Sequence, residues 1–142
     1  VASAFSVMVN DSDGNNLFNI NAGAEEGSAM VYDGDNQLFA SVYRTSAIYR
    51  HYAIDDQDGN RRYDLAESSK PSAREWTILS GETEIGSVKQ ISHENSQELM
   101  SNQGVDLDDT KFDGAFLLTV EGVVEENDLF AILGGVYVLM MG

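Results

Sequence analysis

The sequence predicts a mainly β domain built of successive antiparallel hairpins and completed by a hydrophobic C-terminal helix. Three observations carry this reading. A turn element of the form Asp-x-Asp recurs at spacings of 22 and 23 residues. The segments between the turns are short and rich in β-branched and aromatic side chains. A 13-residue apolar run, Leu129 to Met141, then needs enclosure on every side. With 142 residues, 42% of them hydrophobic, the chain is one domain, 1–142, with material for one core.

The elements follow in order. Asp11-Ser12-Asp13-Gly14-Asn15-Asn16-Leu17-Phe18 and Asp56-Gln57-Asp58-Gly59-Asn60-Arg61-Arg62-Tyr63 share the pattern Asp-x-Asp-Gly-Asn-x-x-aromatic. Asp33-Gly34-Asp35-Asn36-Gln37-Leu38-Phe39 is a version one residue shorter. Asp-Gly and Gly-Asn supply the positive φ angles of tight hairpin turns. Their flanks read as strands: Ala4 to Val9, Leu17 to Asn21, Ala29 to Tyr32, Leu38 to Tyr43, His51 to Ile54 and Arg62 to Leu65. A fourth hairpin joins Glu75 to Leu79 with Glu84 to Ile91, and Trp76, Ile78, Ile85 and Val88 are its core-facing positions. Lys70-Pro71 belongs to a loop, Ser92 to Gly104 to a short capped helix or, as the alternative, a polar loop, and Asp106 to Asp109 to a turn. A strand over Ala115 to Val120 continues toward Val124.

The length of the last apolar run favours a helix over a strand, with Asn127 or Asp128 as N-cap and Glu125 and Glu126 near the positive end of its dipole. Gly134-Gly135 opposes this by about 1 kcal/mol per glycine, yet lets surrounding strands approach closely. The alternative is a lipocalin-like barrel or β sandwich with Val136 to Met141 as final strand.

Composition excludes whole classes of function. Eight Lys and Arg against 24 Asp and Glu give a net charge of −16, a field that repels nucleic acid and anionic membranes. The absence of cysteine excludes disulfides, thiolate nucleophiles and cysteine metal sites. The apolar run is too short for a transmembrane helix, which needs about 20 residues. With no signal-peptide pattern, the expected location is cytoplasmic. The acid excess, with three lysines against five arginines, fits adaptation to high salt.

Hairpins with Asp-rich turns followed by a terminal apolar helix resemble the tubby-like barrel superfamily, which includes tubby C-terminal domains, phospholipid scramblases and LURP-one-related proteins. The resemblance is carried by Tyr52 to Gly59, by Trp76-Thr77-Ile78 with Ile85-Gly86-Ser87-Val88, and by Val120 to Gly142. It implies a closed antiparallel β barrel around the hydrophobic C-terminal helix. It also implies a non-enzymatic binding or scaffold domain, with no cofactor and with an unknown protein or small anionic ligand as partner. The basic motif of phosphoinositide-binding tubby domains has no counterpart here.

Seven of the eight basic residues fall between positions 44 and 89. Arg44, Arg50, Arg61 and Arg62 flank the second and third turns, and form the candidate ligand-binding set, since guanidinium groups hold phosphate or carboxylate bidentately. Alternation puts Arg61 and Arg62 on opposite faces, so at most one joins Arg44 and Arg50. Pairing with Asp55, Asp56, Asp58 and Asp64 is the competing assignment. Asp11, Asp13, Asp56 and Asp58 are candidate ligands of a turn-based calcium site, although turn chemistry selects the same residues. An EF-hand is excluded, because aligning Gly59 with the sixth loop position puts Ile54 first and Leu65 twelfth. His51 and His93 lack metal or triad spacing, and Glu125 with Glu126 is explained by the helix dipole. A carrier of small lipophilic ligands in a hollow barrel is the alternative function.

Overall fold

A computed structural model of the chain describes residues 6–23, 25–70, 74–91, 115–121 and 125–141. Nine strands follow one another in a single antiparallel sheet: β1 (Ser6–Asn10), β2 (Asn16–Ala22), β3 (Ala29–Asp33), β4 (Leu38–Arg44), β5 (Tyr52–Asp56), β6 (Arg61–Glu67), β7 (Glu75–Ser80), β8 (Thr83–Ile91) and β9 (Ala115–Val120). A helix, α1 (Glu126–Met141), completes the fold. The strand order in space is the order in sequence. The closed barrel is not made by hydrogen bonds: among the described residues no pairing joins β1 to β9. The expected helix over Ser92 to Gly104 and turn over Asp106 to Asp109 lie outside the described residues.

The three Asp-rich turns share one geometry. Asp11, Asp33 and Asp56 each use Oδ1 to accept two backbone N–H groups, from Asp13 and Asn15, from Asp35 and Gln37, and from Asp58 and Asn60. Each carboxylate thus replaces hydrogen bonds that a tight turn denies the backbone. The left-handed position falls on Gly14 (φ 86°), Asn36 (φ 64°) and Gly59 (φ 83°). In the second turn this differs from the expectation that Asp-Gly supplies it. Gly34 serves another purpose: a Cβ there would lie 2.7 Å from the carbonyl oxygen of Asn16.

Directly after each of these turns, and after the fourth at Gly81, the pairing skips one residue on the returning strand. Asn10 pairs with Asn16 but Val9 with Phe18; Tyr32 with Leu38 but Val31 with Ala40; Asp55 with Arg61 but Ile54 with Tyr63; Leu79 with Glu84 but Ile78 with Gly86. The extra residues are Leu17, Phe39, Arg62 and Ile85. A bulge interrupts strict alternation. It explains why Ile85 and Val88, of opposite parity, both pack against the core, and why Phe39 is half-buried while Ala40 takes the core position held by Phe18 and Tyr63 in the other repeats.

The concave face of the sheet is filled by α1. Ile132, Val136, Val138 and Leu139 are buried among Val31, Val42, Ile54, Leu65, Ile78 and Trp76, which excludes Val136 to Met141 as a final strand. A stripe of Phe130, Leu133 and Tyr137 is half-buried, with Phe130 stacked on Phe18 at 4.4 Å between centroids. The glycine pair sets the distance between helix and sheet. A Cβ on Gly134 would lie 2.6 Å from Cγ2 of Val31, and one on Gly135 2.8 Å from Cδ1 of Leu65. The helix also starts earlier than expected: Leu129 donates to the carbonyl of Glu125, so Asn127 and Asp128 lie in the first turn and are not the N-cap.

Two outcomes follow. Gly134→Val is expected to lower the free energy of unfolding by about 1–3 kcal/mol in urea titration, because overpacking against Val31 outweighs the gain in helix propensity. Asn36→Val is expected to lose about 1–2 kcal/mol in the same measurement, the strain of a left-handed backbone, while Asn36→Gly is neutral or stabilising.

Candidate functional site

Antiparallel connectivity gives the sheet two ends. The Asp-rich turns and the start of α1 share one, and the β4–β5 loop and the last turn of α1 share the other. At the first end a cleft of about 210 Å³ opens beside the helix start. Its floor is apolar, from Phe39, Ala40, Ile54 and Ala131. Two of these are alanines, which leaves space where larger side chains fill the neighbouring repeats. Asp56, Gln57, Glu125, Asn127 and Asp128 line its polar side, together with Arg62, while the Asp55 carboxylate turns away to Tyr43 and Arg61.

The bulge at Arg62 builds the polar side of this cleft. Arg62 Nη2 donates to Asp128 Oδ2 at 2.9 Å, and the hydroxyl of Tyr63 donates to the same oxygen at 2.8 Å. Consecutive strand residues ordinarily point to opposite faces, so both reaching one carboxylate requires the irregular backbone. Burial, then the hydrogen bond to Asp128, pushes the Tyr63 phenol up to about 12. The hydrogen bond to Asp128 makes Arg62 hold its proton more firmly than usual.

Arg61 turns to the outer face with Asp55 and Asp64, although its parity with the buried Tyr63 and Leu65 would put it on the core face; the bulge at Arg62 displaces it. It donates to the Tyr43 hydroxyl at 3.1 Å and pairs with Asp64 at 3.2 Å and Asp55 at 3.9 Å. The Tyr43 hydrogen bond raises its pKa above the ordinary arginine value. Arg61 and Arg62 are therefore each engaged by carboxylates and stand apart from Arg44 and Arg50.

Asp11 and Asp13 belong to the β1–β2 turn, and Asp56 and Asp58 to the β5–β6 turn, with the β3–β4 hairpin between them. The N–H of Asn15 is the main cause that holds the Asp11 carboxyl below its usual range. Among the described residues no group of three or more His, Asp or Glu side chains is arranged to hold a metal ion.

At the opposite end Arg50 meets a residue absent from the candidate set, Arg74, across the Trp76 ring. The guanidinium carbons of Arg50 and Arg74 lie 5.0 and 5.8 Å from the Trp76 ring centroid. Arg50 Nη2 also donates to the carbonyl of Leu139 at 3.0 Å, a cation at the negative end of α1, and its own carbonyl accepts from Trp76 Nε1. Arg44 donates to the carbonyls of Ser46 and Tyr49, and Ser46 Oγ accepts the N–H groups of Ile48 and Tyr49. The loop so pinned displays Ile48, 82% exposed, and Tyr49, 54% exposed. His51 Nδ1 accepts the N–H of Glu67, which fixes that nitrogen as an acceptor. His93 lies outside the described residues.

No family model, curated protein or solved structure matches the chain.

The Tyr63–Asp128 contact predicts a pH dependence. Tyr63 stays neutral to a higher pH folded than unfolded, so its contribution is complete below pH 10 and is lost as pH rises from 10 through about 12. The urea midpoint is expected to fall across that interval, and Tyr63→Phe is expected to remove this part of the fall.

Proposed function

We propose that the chain is a non-enzymatic binding domain of the tubby-like, LURP-one-related kind, acting through its outer surface and not through an interior cavity. The observation that carries this is the fit of α1 against the sheet. Between α1 and the strands of Val31 and Leu65 there is no room for a methyl group on either glycine, and so none for a lipophilic ligand along that seam. A sheet wrapped about a C-terminal helix is also the arrangement the resemblance implies, and full closure into a barrel is part of the proposal. The surface in question is the loop end. Arg44, Arg50 and Arg74 have no carboxylate at ion-pairing distance among the described residues, so they are open to an anionic partner. Glu67 accepts the backbone N–H of Arg50 and leaves its guanidinium unneutralised.

A fluorescent fatty acid titrated into the protein is expected to show no saturable signal. Stoichiometric uptake at one interior site per chain would overturn the reading in favour of a carrier.

A further inference from the structure

We propose that the β4–β5 loop of one copy docks into the cleft beside the α1 start of a second copy, so that chains associate head to tail. This rests on the reading of the domain as surface-acting and names its partner.

The loop has the features of an interface anchor. Ile48 and Tyr49 are large apolar side chains held out in water, and they are not on a slack segment: one guanidinium and one hydroxyl fix the backbone on both sides. Preorganisation of this kind lowers the entropy lost on docking. Arg44 holds the loop from within and Arg50 follows it, and Arg50 shares the Trp76 ring with Arg74; none of the three has a carboxylate partner among the described residues.

The cleft is complementary in size, polarity and charge. Its 210 Å³ is below the roughly 300 Å³ of small-ligand pockets and suits one or two side chains. A small apolar floor, with Phe39 its half-buried member, lies under a rim on which Asp56 and Glu125 form no ion pair among the described residues, while Arg62 and Asp128 neutralise each other. Aliphatic knob to apolar floor and guanidinium to carboxylate is the pairing that sets orientation at an interface. Loop and cleft lie at opposite ends of the sheet, so one chain cannot satisfy itself. Two different patches make the contact heterologous, and it repeats until a ring closes or a filament grows. The net charge of −16 opposes approach at low salt. At about 1 M KCl the screening length is about 3 Å, so this long-range repulsion vanishes and short-range contacts remain.

Sedimentation velocity at about 1 M KCl tests the proposal. The mass of the parent protein is expected to rise with concentration. Ile48→Asp is expected to weaken this by about tenfold or more, the effect of losing one anchor. Glu125→Lys with Asn127→Lys, at the cleft mouth, is expected to do the same. All these positions are exposed, and unchanged urea midpoints show that the variants fold. The decisive result is the mixture. Loop-dead and cleft-dead chains together retain one intact loop and one intact cleft, and are expected to form a species of two chains and nothing larger. A parent that stays monomeric, a loop variant that associates like the parent, or a mixture that stays monomeric overturns the proposal. So does Ile48-dependent sedimentation of a monomeric parent with phosphatidylserine vesicles, which assigns the loop to a membrane. None of these touches the surface-acting reading, which only fatty-acid uptake overturns.

Discussion

The fold depends on the approach of one helix to one sheet. At Gly134 and Gly135 nothing but hydrogen separates the α1 backbone from Val31, Ile54 and Leu65, and the adjoining positions bury Ile132, Val136 and Leu139. Each large side chain removed from water there contributes roughly 1.5–3 kcal/mol. That is far more than the glycine pair costs in helix propensity, about 1 kcal/mol per residue. A sequence weakly suited to helix by local preference is therefore held helical by packing. Both helix ends are also tied to the sheet, by Asp128 to β6 at the start and by Arg50 at Leu139 near the end.

The four bulged hairpins make this approach possible. Each adds one residue after the turn, and a bulge bends its strand and increases its twist. Because all four occur at the same end of the sheet, the distortion accumulates in one sense and the sheet curls. The same irregularity places side chains. Leu17, Phe39 and Ile85 thicken the core near the turns, whereas the third hairpin puts Arg62 in that position, beside the helix start.

Much of this was legible in the residues. The strands lie within two residues of the bounds read from turns and alternation wherever those bounds fall in described residues, and the helix is where the apolar run sits. Turn chemistry is local, and Asp, Gly and Asn announce it directly. The bulges were not legible, because Leu17, Phe39, Arg62 and Ile85 have no composition in common. Their consequences were hidden with them: the neighbours Arg62 and Tyr63 reach one carboxylate, and Phe39, the third aromatic of the repeat, cedes the core to Ala40. The cluster of Arg44, Arg50 and Arg74 was half seen. Arg44 and Arg50 flank one loop, but only the Trp76 ring, donating from β7 to the Arg50 carbonyl, brings Arg74 to Arg50.

The nearest-neighbour order of the strands governs how the chain folds. Within each run β1–β8 every pairing joins segments linked by a short connection, so loop closure costs little entropy and contact order in the sheet is low. The helix is the exception: Leu139 meets Arg50 across 89 residues. During vectorial synthesis all nine strands emerge before the element that fills their concave face. Until α1 arrives, Val31, Ile54 and Leu65 lack the helix that covers them, so the growing chain exposes an apolar face that the finished fold encloses.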